Sequence, residues 1–326
     1  MTRFDSRRRV STYTSVWMPT GDETVNPVAG YFGGGYDGAS FSVIDKITFA
    51  DDSKSTLSAT LTSARYGPAG MANSGVAGYF GGGNTVGGLS GNQSGIDKIT
   101  FPADTKSTLS GTLTTAVHYL ASMANSGTAG YFAGGNGVAT GNGNVSGIDK
   151  ITFSADTKST LSATLTSARR SMAGFANSGT AGYVGGGNDG SNISGIDKIT
   201  FSADTKSTLS ANLTSARQYL GGMANSGVAG YFGGGNDSGG NISGIRKITF
   251  SADTEAGLSA TLTSARQGLA GMANSGTAGY FAGGYDGARV SGIDKITFSA
   301  DTKSTLSATL TSARSDLAGM ADSGIL

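Results

Sequence analysis

The stretch MANSGVAGYFGGGNTVGGLSGNQSGIDKITFPADTKSTLSGTLT, residues 71–114, reads as four short strands joined by three connections. Asn73-Ser74-Gly75 is the first turn, because Asn and Gly tolerate positive φ and β-compatible residues flank them. Val76-Ala77-Gly78-Tyr79-Phe80 returns as the second strand and stops at Gly81-Gly82-Gly83. A loop then leads into Ile96-Asp97-Lys98-Ile99-Thr100-Phe101, apolar at alternate positions. Asp104-Thr105-Lys106 supplies the next turn. Residues 107–114 form the expected fourth strand, with Leu109 and Leu113 on one face. No segment carries apolar residues at helical spacing over three turns, and each glycine costs a helix about 1 kcal/mol relative to Ala.

The same unit fills nearly the whole chain. Tyr31, Tyr79, Tyr131, Tyr183, Tyr231 and Tyr280 are separated by 48, 52, 52, 48 and 49 residues, a period of propellers and solenoids. The ends favour a ring. The first copy begins at Val28-Ala29-Gly30-Tyr31 without its AGMANSG strand, and the chain finishes on Ala318-Gly319-Met320-Ala321-Asp322-Ser323-Gly324, the strand that copy one lacks. An open solenoid would call for polar capping repeats instead. The expected fold is all-β: a six-bladed propeller over 27–326, closed by its C-terminal strand, preceded by an N-terminal arm, 1–26.

Composition limits the function. Only 14% of the 326 residues are charged and the formal net charge is +1, so no broad field points to nucleic acid or an anionic membrane. The 55 glycines recur at fixed repeat positions, which identifies turns and crowded strands rather than a disordered linker. With no cysteine, disulfides, thiolate metal sites and cysteine nucleophiles are absent, and His118 is the one histidine. The opening MTRFDSRRRVSTYTSVW is followed by no apolar run of signal-peptide length, and no stretch suits a bilayer span. The expectation is a protein without membrane insertion that arrives outside a cell as part of an assembled particle.

The repeat resembles the kelch family of β-propellers from Val28 to Gly324. The likeness rests on a second strand ending in a glycine pair (Gly81-Gly82, Gly134-Gly135), a third strand followed by Asp-Thr, and Ser-Ala-Arg ahead of the next inner strand. Leu109 and its equivalents stand where kelch repeats carry a tryptophan. The repeats are also similar to those of tail-fibre and other virion proteins of bacteriophages, particularly phages of marine cyanobacteria. That resemblance implies a virion location, at the tail or outer surface. It also implies partners among other virion proteins, docked through the arm 1–26, which carries Arg7-Arg8-Arg9 and Trp17.

In a four-stranded meander the loops after strands two and four leave by the same face, and the copies vary at these two places. After Ser-Ala-Arg the variable residues include Tyr66, His118, Tyr119, Arg170, Gln218, Tyr219 and Gln267. The loops after strand two carry Asp37, Asp189, Asp237 and Asp286. Loops on a rigid scaffold commonly recognise ligands, so these residues form the candidate binding face, for a host surface glycan or receptor. Unconstrained drift is the alternative. The four aspartates offer oxygens of the kind calcium accepts, but their spacing matches no calcium motif.

Arg65, Arg169, Arg217, Arg266 and Arg314 recur at the end of strand four, with Val117 in the second copy. They are expected to satisfy carbonyls or pair with an acidic neighbour; attraction of an anion or acidic glycan is the alternative. Asp45, Asp97, Asp149, Asp197 and Asp294, with Arg246 at the fifth place, suggest hydrogen bonds between blades. Asn92, Asn144, Asn192, Asn212 and Asn241 begin Asn-x-Ser/Thr triplets, expected from Asn- and Ser-rich repeats alone. The favoured reading is a noncatalytic virion component without a cofactor, an adhesin or structural ring with room for an oligomer. An intracellular kelch-type interaction module ranks second. A glycan-active enzyme, which would need convergent loop carboxylates, ranks last.

Overall fold

Ala77–Gly81 is buried along its whole length because it is the second strand of a sheet pressed between two others. It pairs antiparallel with Ala69–Asn73 on one side and Ile96–Thr100 on the other. A computed structural model describes residues 28–137 and 143–322, and in it this arrangement recurs as six four-stranded antiparallel sheets. The protein is a six-bladed β-propeller. Its six apolar clusters each draw residues from two successive blades, as where Met71 and Tyr79 meet Phe132 and Phe153. Burial at these seams demands small residues: a Cβ on Gly33 would come within 2.7 Å of the Phe80 ring in the next blade.

The ring closes as the chain ends suggest. Ala29–Gly33 pairs with Ala318–Asp322, Gly33 opposite Ala318 and Ala29 opposite Asp322. Innermost strands surround the axis so tightly that a Cβ on Gly174 would meet Ser122 O at 2.3 Å. On the constant face the NSG turns hold one another. Ser74 N–H donates to Ser126 Oγ at 3.0 Å and Gly127 N–H to Asn73 Oδ1 at 2.7 Å. Asp322 supplies the equivalent acceptor to Gly75 N–H across the closure, at 2.7 Å. Constancy of these turns therefore has a structural cause.

The outermost strand differs from the expected 107–114. It is Thr105–Thr108, and of Asp104-Thr105-Lys106 only Asp104 lies in the turn, with φ of 53°. Leu109 and Leu113 leave the strand to become buried. The backbone follows them: Leu109 N–H donates to Ile96 O at 3.0 Å and Leu113 N–H to Ser94 O at 2.8 Å. Covering the blade with two leucines thus ends the edge strand early. Blade five departs, with an outer strand Thr254–Thr261 of eight residues. The arm 1–26 lies outside the described residues.

Candidate functional site

The two variable loops of each blade junction are joined on one face. Tyr66 bridges Asn84, Arg170 bridges Asn188, Gln218 bridges Asn236, Gln267 bridges Tyr285 and Tyr36 bridges Ser315. His118 pairs with Asn136 in the same way. These contacts bring the segments after Ser-Ala-Arg above the axis, where their middle residues form a crown. Gly67 N–H donates to Asp316 O, Asp316 to Gly268, Gly268 to Tyr219, Tyr219 to Ser171, Ser171 to Tyr119 and Tyr119 to Gly67, all at 2.7–2.8 Å. This closed backbone cycle requires the left-handed conformation at each of the six, including Tyr119 (φ 57°), Ser171 (58°), Tyr219 (57°) and Asp316 (55°). Non-glycine residues held at such angles concentrate at functional sites.

Aromatic rings form an arc around the crown. Tyr36 lies 5.5 Å from Tyr66, Tyr66 5.8 Å from both His118 and Tyr119, and Tyr119 5.1 Å from Tyr219, centroid to centroid. Two adjoining cavities open there. One, of about 310 Å³, is lined by Tyr119, Tyr219, Gln267, Tyr285, Arg289 and Asp316. The other, of about 560 Å³, shares Tyr119, Arg289 and Asp316 and adds Tyr36, Tyr66 and Val86. Burial in the crown pushes the Asp316 carboxyl up to about 6, against the opposing pull of Ser315 and Arg289.

Arg289 was not singled out in the sequence, and its signal is a break in a pattern. In blades two to five the first loop holds an asparagine pair: Asn84 with Asn92, Asn136 with Asn144, Asn188 with Asn192 and Asn236 with Asn241. The second asparagine of each also donates to a carbonyl of the next blade, at 2.8–3.2 Å. The Asn-x-Ser triplets at Asn92, Asn144, Asn192 and Asn241 are thereby explained as an interblade belt. In blade one Ser40 Oγ makes the link, to Thr85 O at 3.3 Å. Arg289 instead lies over the rings of Tyr36 and Tyr285, 5.2 and 5.6 Å from their centroids, and its buried Nε has no hydrogen-bond partner.

The remaining candidates separate. Gln218 and Gln267 stand half-buried beside the crown, and Arg170 donates to Asn144 at 3.2 Å. His118 is buried, which pushes its pKa down to about 4 and keeps it neutral near pH 7; its Nδ1 has no partner. Asp37, Asp189, Asp237 and Asp286 do not converge with one another. Each accepts a backbone N–H two residues on, within its own loop. Among the described residues no three His, Asp or Glu side chains are grouped to hold a metal ion.

The repeated arginines are structural. Arg65 Nη2 meets Asp97 Oδ2 at 2.8 Å, Arg169 meets Asp197 at 2.9 Å, Arg266 meets Asp294 at 3.1 Å and Arg314 meets Asp45 at 3.2 Å. Burial pushes the Asp97 carboxyl up, but Thr62 and the Arg65 guanidinium bring it below the usual carboxylate range. Two blades depart: Val117 faces Asp149, and Arg217 faces Arg246, which pairs with Glu255 instead. No protein-family model and no curated protein matches the chain, so the crown and its two cavities carry the functional reading.

Proposed function

We propose that the chain is a noncatalytic virion component, an adhesin that holds a saccharide of a host surface on the crown. The observation that carries this reading is the pair of adjoining cavities over the axis, on the face where the copies differ, walled by tyrosines together with Arg289 and Asp316. Tyrosine rings suit the C–H faces of sugars, while guanidinium, carboxylate and amide groups suit their hydroxyl and acid substituents. Among the described residues the opposite face offers no comparable set, since its NSG turns are engaged with one another. The resemblance of the repeats to those of phage tail fibres supports the particle assignment, with 1–26 as the proposed docking arm.

Glycan-array binding by the intact ring tests this function. Saturable binding that Tyr219→Ala reduces at least tenfold, with thermal stability retained, would bear it out. An intact ring that binds no glycan would overturn it, and one dominant protein captured through the same face would favour the kelch-type interaction module.

A further inference from the structure

We propose that blade three carries a binding site for a monosubstituted guanidinium cation, such as an arginine side chain, in the cavity beside Val117. This site is independent of the crown.

Four other blades show how the fold holds this group. Arg65, Arg169, Arg266 and Arg314 each place Nη2 3.2 Å from the carbonyl of Phe80, Val184, Phe281 or Phe32, and against the aspartate already described. Those four aspartate side chains are 0–1% exposed. In blade three the arginine is replaced by Val117, and a cavity of about 110 Å³ lies among Val117, Leu113, Leu120, Phe132, Gly134 and Asp149.

The acidic end of the cradle survives the replacement. Asp149 still accepts from Thr114 N–H at 2.8 Å, Thr114 Oγ1 at 2.6 Å and Thr160 Oγ1 at 2.8 Å, with Lys158 Nζ at 3.2 Å. Its side chain is 11% exposed, so the carboxylate is reachable where its counterparts are sealed. Blade five supplies the converse case. Arg217 stays buried without an aspartate, donating to Gly234 O at 3.1 Å. Gly134 is the counterpart of Gly234, so the cavity presents carbonyl acceptors as well as the carboxylate. A planar guanidinium matches this fork of acceptors better than a compact ammonium, and the leucine and phenylalanine walls suit a short alkyl stem.

Thermal unfolding of the full chain with ethylguanidinium at millimolar concentration tests the site, with ethylammonium as control. Near ten times its Kd the guanidinium should raise Tm by a few degrees, and the rise should grow with the logarithm of concentration above Kd, because it binds only the folded ring. The ammonium should not. Val117→Arg should raise Tm by itself and abolish the response; if that variant misfolds, Val117→Leu, which fills the space without charge, should also abolish it. A peptide acetyl-Gly-Arg-Gly-amide that reproduces the rise would identify a partner's arginine as the occupant, and a response confined to the small cation would identify a free ligand. No rise beyond that of ethylammonium, or a rise in Val117→Arg and Val117→Leu equal to that of the parent chain, would overturn the site.

Discussion

Tyr280 Oη donates to Asp52 Oδ1 at 2.8 Å, a bond between positions 228 residues apart that joins the last blade to the first. Lys295 Nζ reaches the other oxygen of the same carboxylate at 2.6 Å. An identical pair of donors meets one aspartate at every seam, as Tyr79 and Lys98 do on Asp156 at 2.9 and 2.6 Å. Closure is therefore built from the same chemistry as the covalently continuous junctions. What distinguishes it is that the peptide leaving blade six enters Ala318–Asp322, a strand held to Ala29–Gly33 by pairing alone, where the other blades have an NSG hairpin between the same two strands.

Asp52→Asn should accordingly cost more than Asp156→Asn, although the lost contacts are alike. Weakening a charge-assisted hydrogen-bond pair costs about 1–3 kcal/mol, and at the closing seam the loss also frees the terminal strand. Hydrogen exchange of Ala318–Asp322 should accelerate in Asp52→Asn and remain slow in Asp156→Asn. Equal exchange in both would count against closure as the weak seam.

Alkaline pH should open all six seams. Burial, followed by the hydrogen bond to an aspartate, raises the pKa of Tyr31, Tyr79, Tyr131, Tyr183, Tyr231 and Tyr280. A raised folded pKa means that the stability is fully present below the unfolded value, about 10 for tyrosine, and is lost as pH rises beyond it. Denaturant midpoints should be flat from pH 8 to 9.5 and fall steeply above about pH 10. Tyrosinate absorbance from these six should appear together with unfolding; titration of all of them in a folded ring would refute the assignment.

Blade five has exchanged charges. Asp97 faces Lys106 at 3.5 Å in blade two, whereas Arg246 faces Glu255. The exchange leaves Arg217 buried without an acid, its pKa pushed down to about 10 by burial and then by Arg246. Arg246→Asp alone sets Asp against Glu255 but gives Arg217 a partner, so its effect should be small. Arg246→Asp with Glu255→Lys restores the pattern of the other blades and should stabilise the ring by about 1 kcal/mol or more, because the buried charge of Arg217 gains a carboxylate partner. Denaturation of both variants measures the difference, and a less stable double variant would show that the longer strand Thr254–Thr261 offsets the gain.

The ring, its closure and the placing of the two variable loops on one face were legible because each follows from strand alternation and a repeat of fixed content, whereas the bridges between those loops were not. The outer strand was misplaced because Leu109 and Leu113 fit an alternating edge as well as they fit a segment folded back over the blade. The crown left no local mark: Tyr119 and Ser171 carry no propensity for positive φ, and the cycle that imposes it joins six distant segments. Arg289 was equally hidden, since its neighbour Tyr36 lies 253 positions away in sequence and only the ring brings them together.

Asp316 offers the most direct test of whether the crown gives up stability, as a ligand site of the proposed kind would. Its position is occupied by glycine in two other copies, Gly67 and Gly268, at φ of 61° and 63°. As an aspartate it accepts both a left-handed backbone and desolvation, which pushes its pKa up to about 6 from the ordinary 3.8 despite Arg289 and the Ser315 hydroxyl nearby. The unfolded chain ionises first, so this contribution to stability is present below about pH 4 and is lost as pH rises through 6. Asp316→Gly should therefore be more stable than the parent, by of order 1 kcal/mol at pH 7, and the advantage should shrink toward pH 4. The same variant should lose affinity for any crown ligand. Paired unfolding curves at pH 4 and pH 7 decide the point: a variant less stable at pH 7 would mean that the carboxylate supports the crown, through Arg289, more than it strains it.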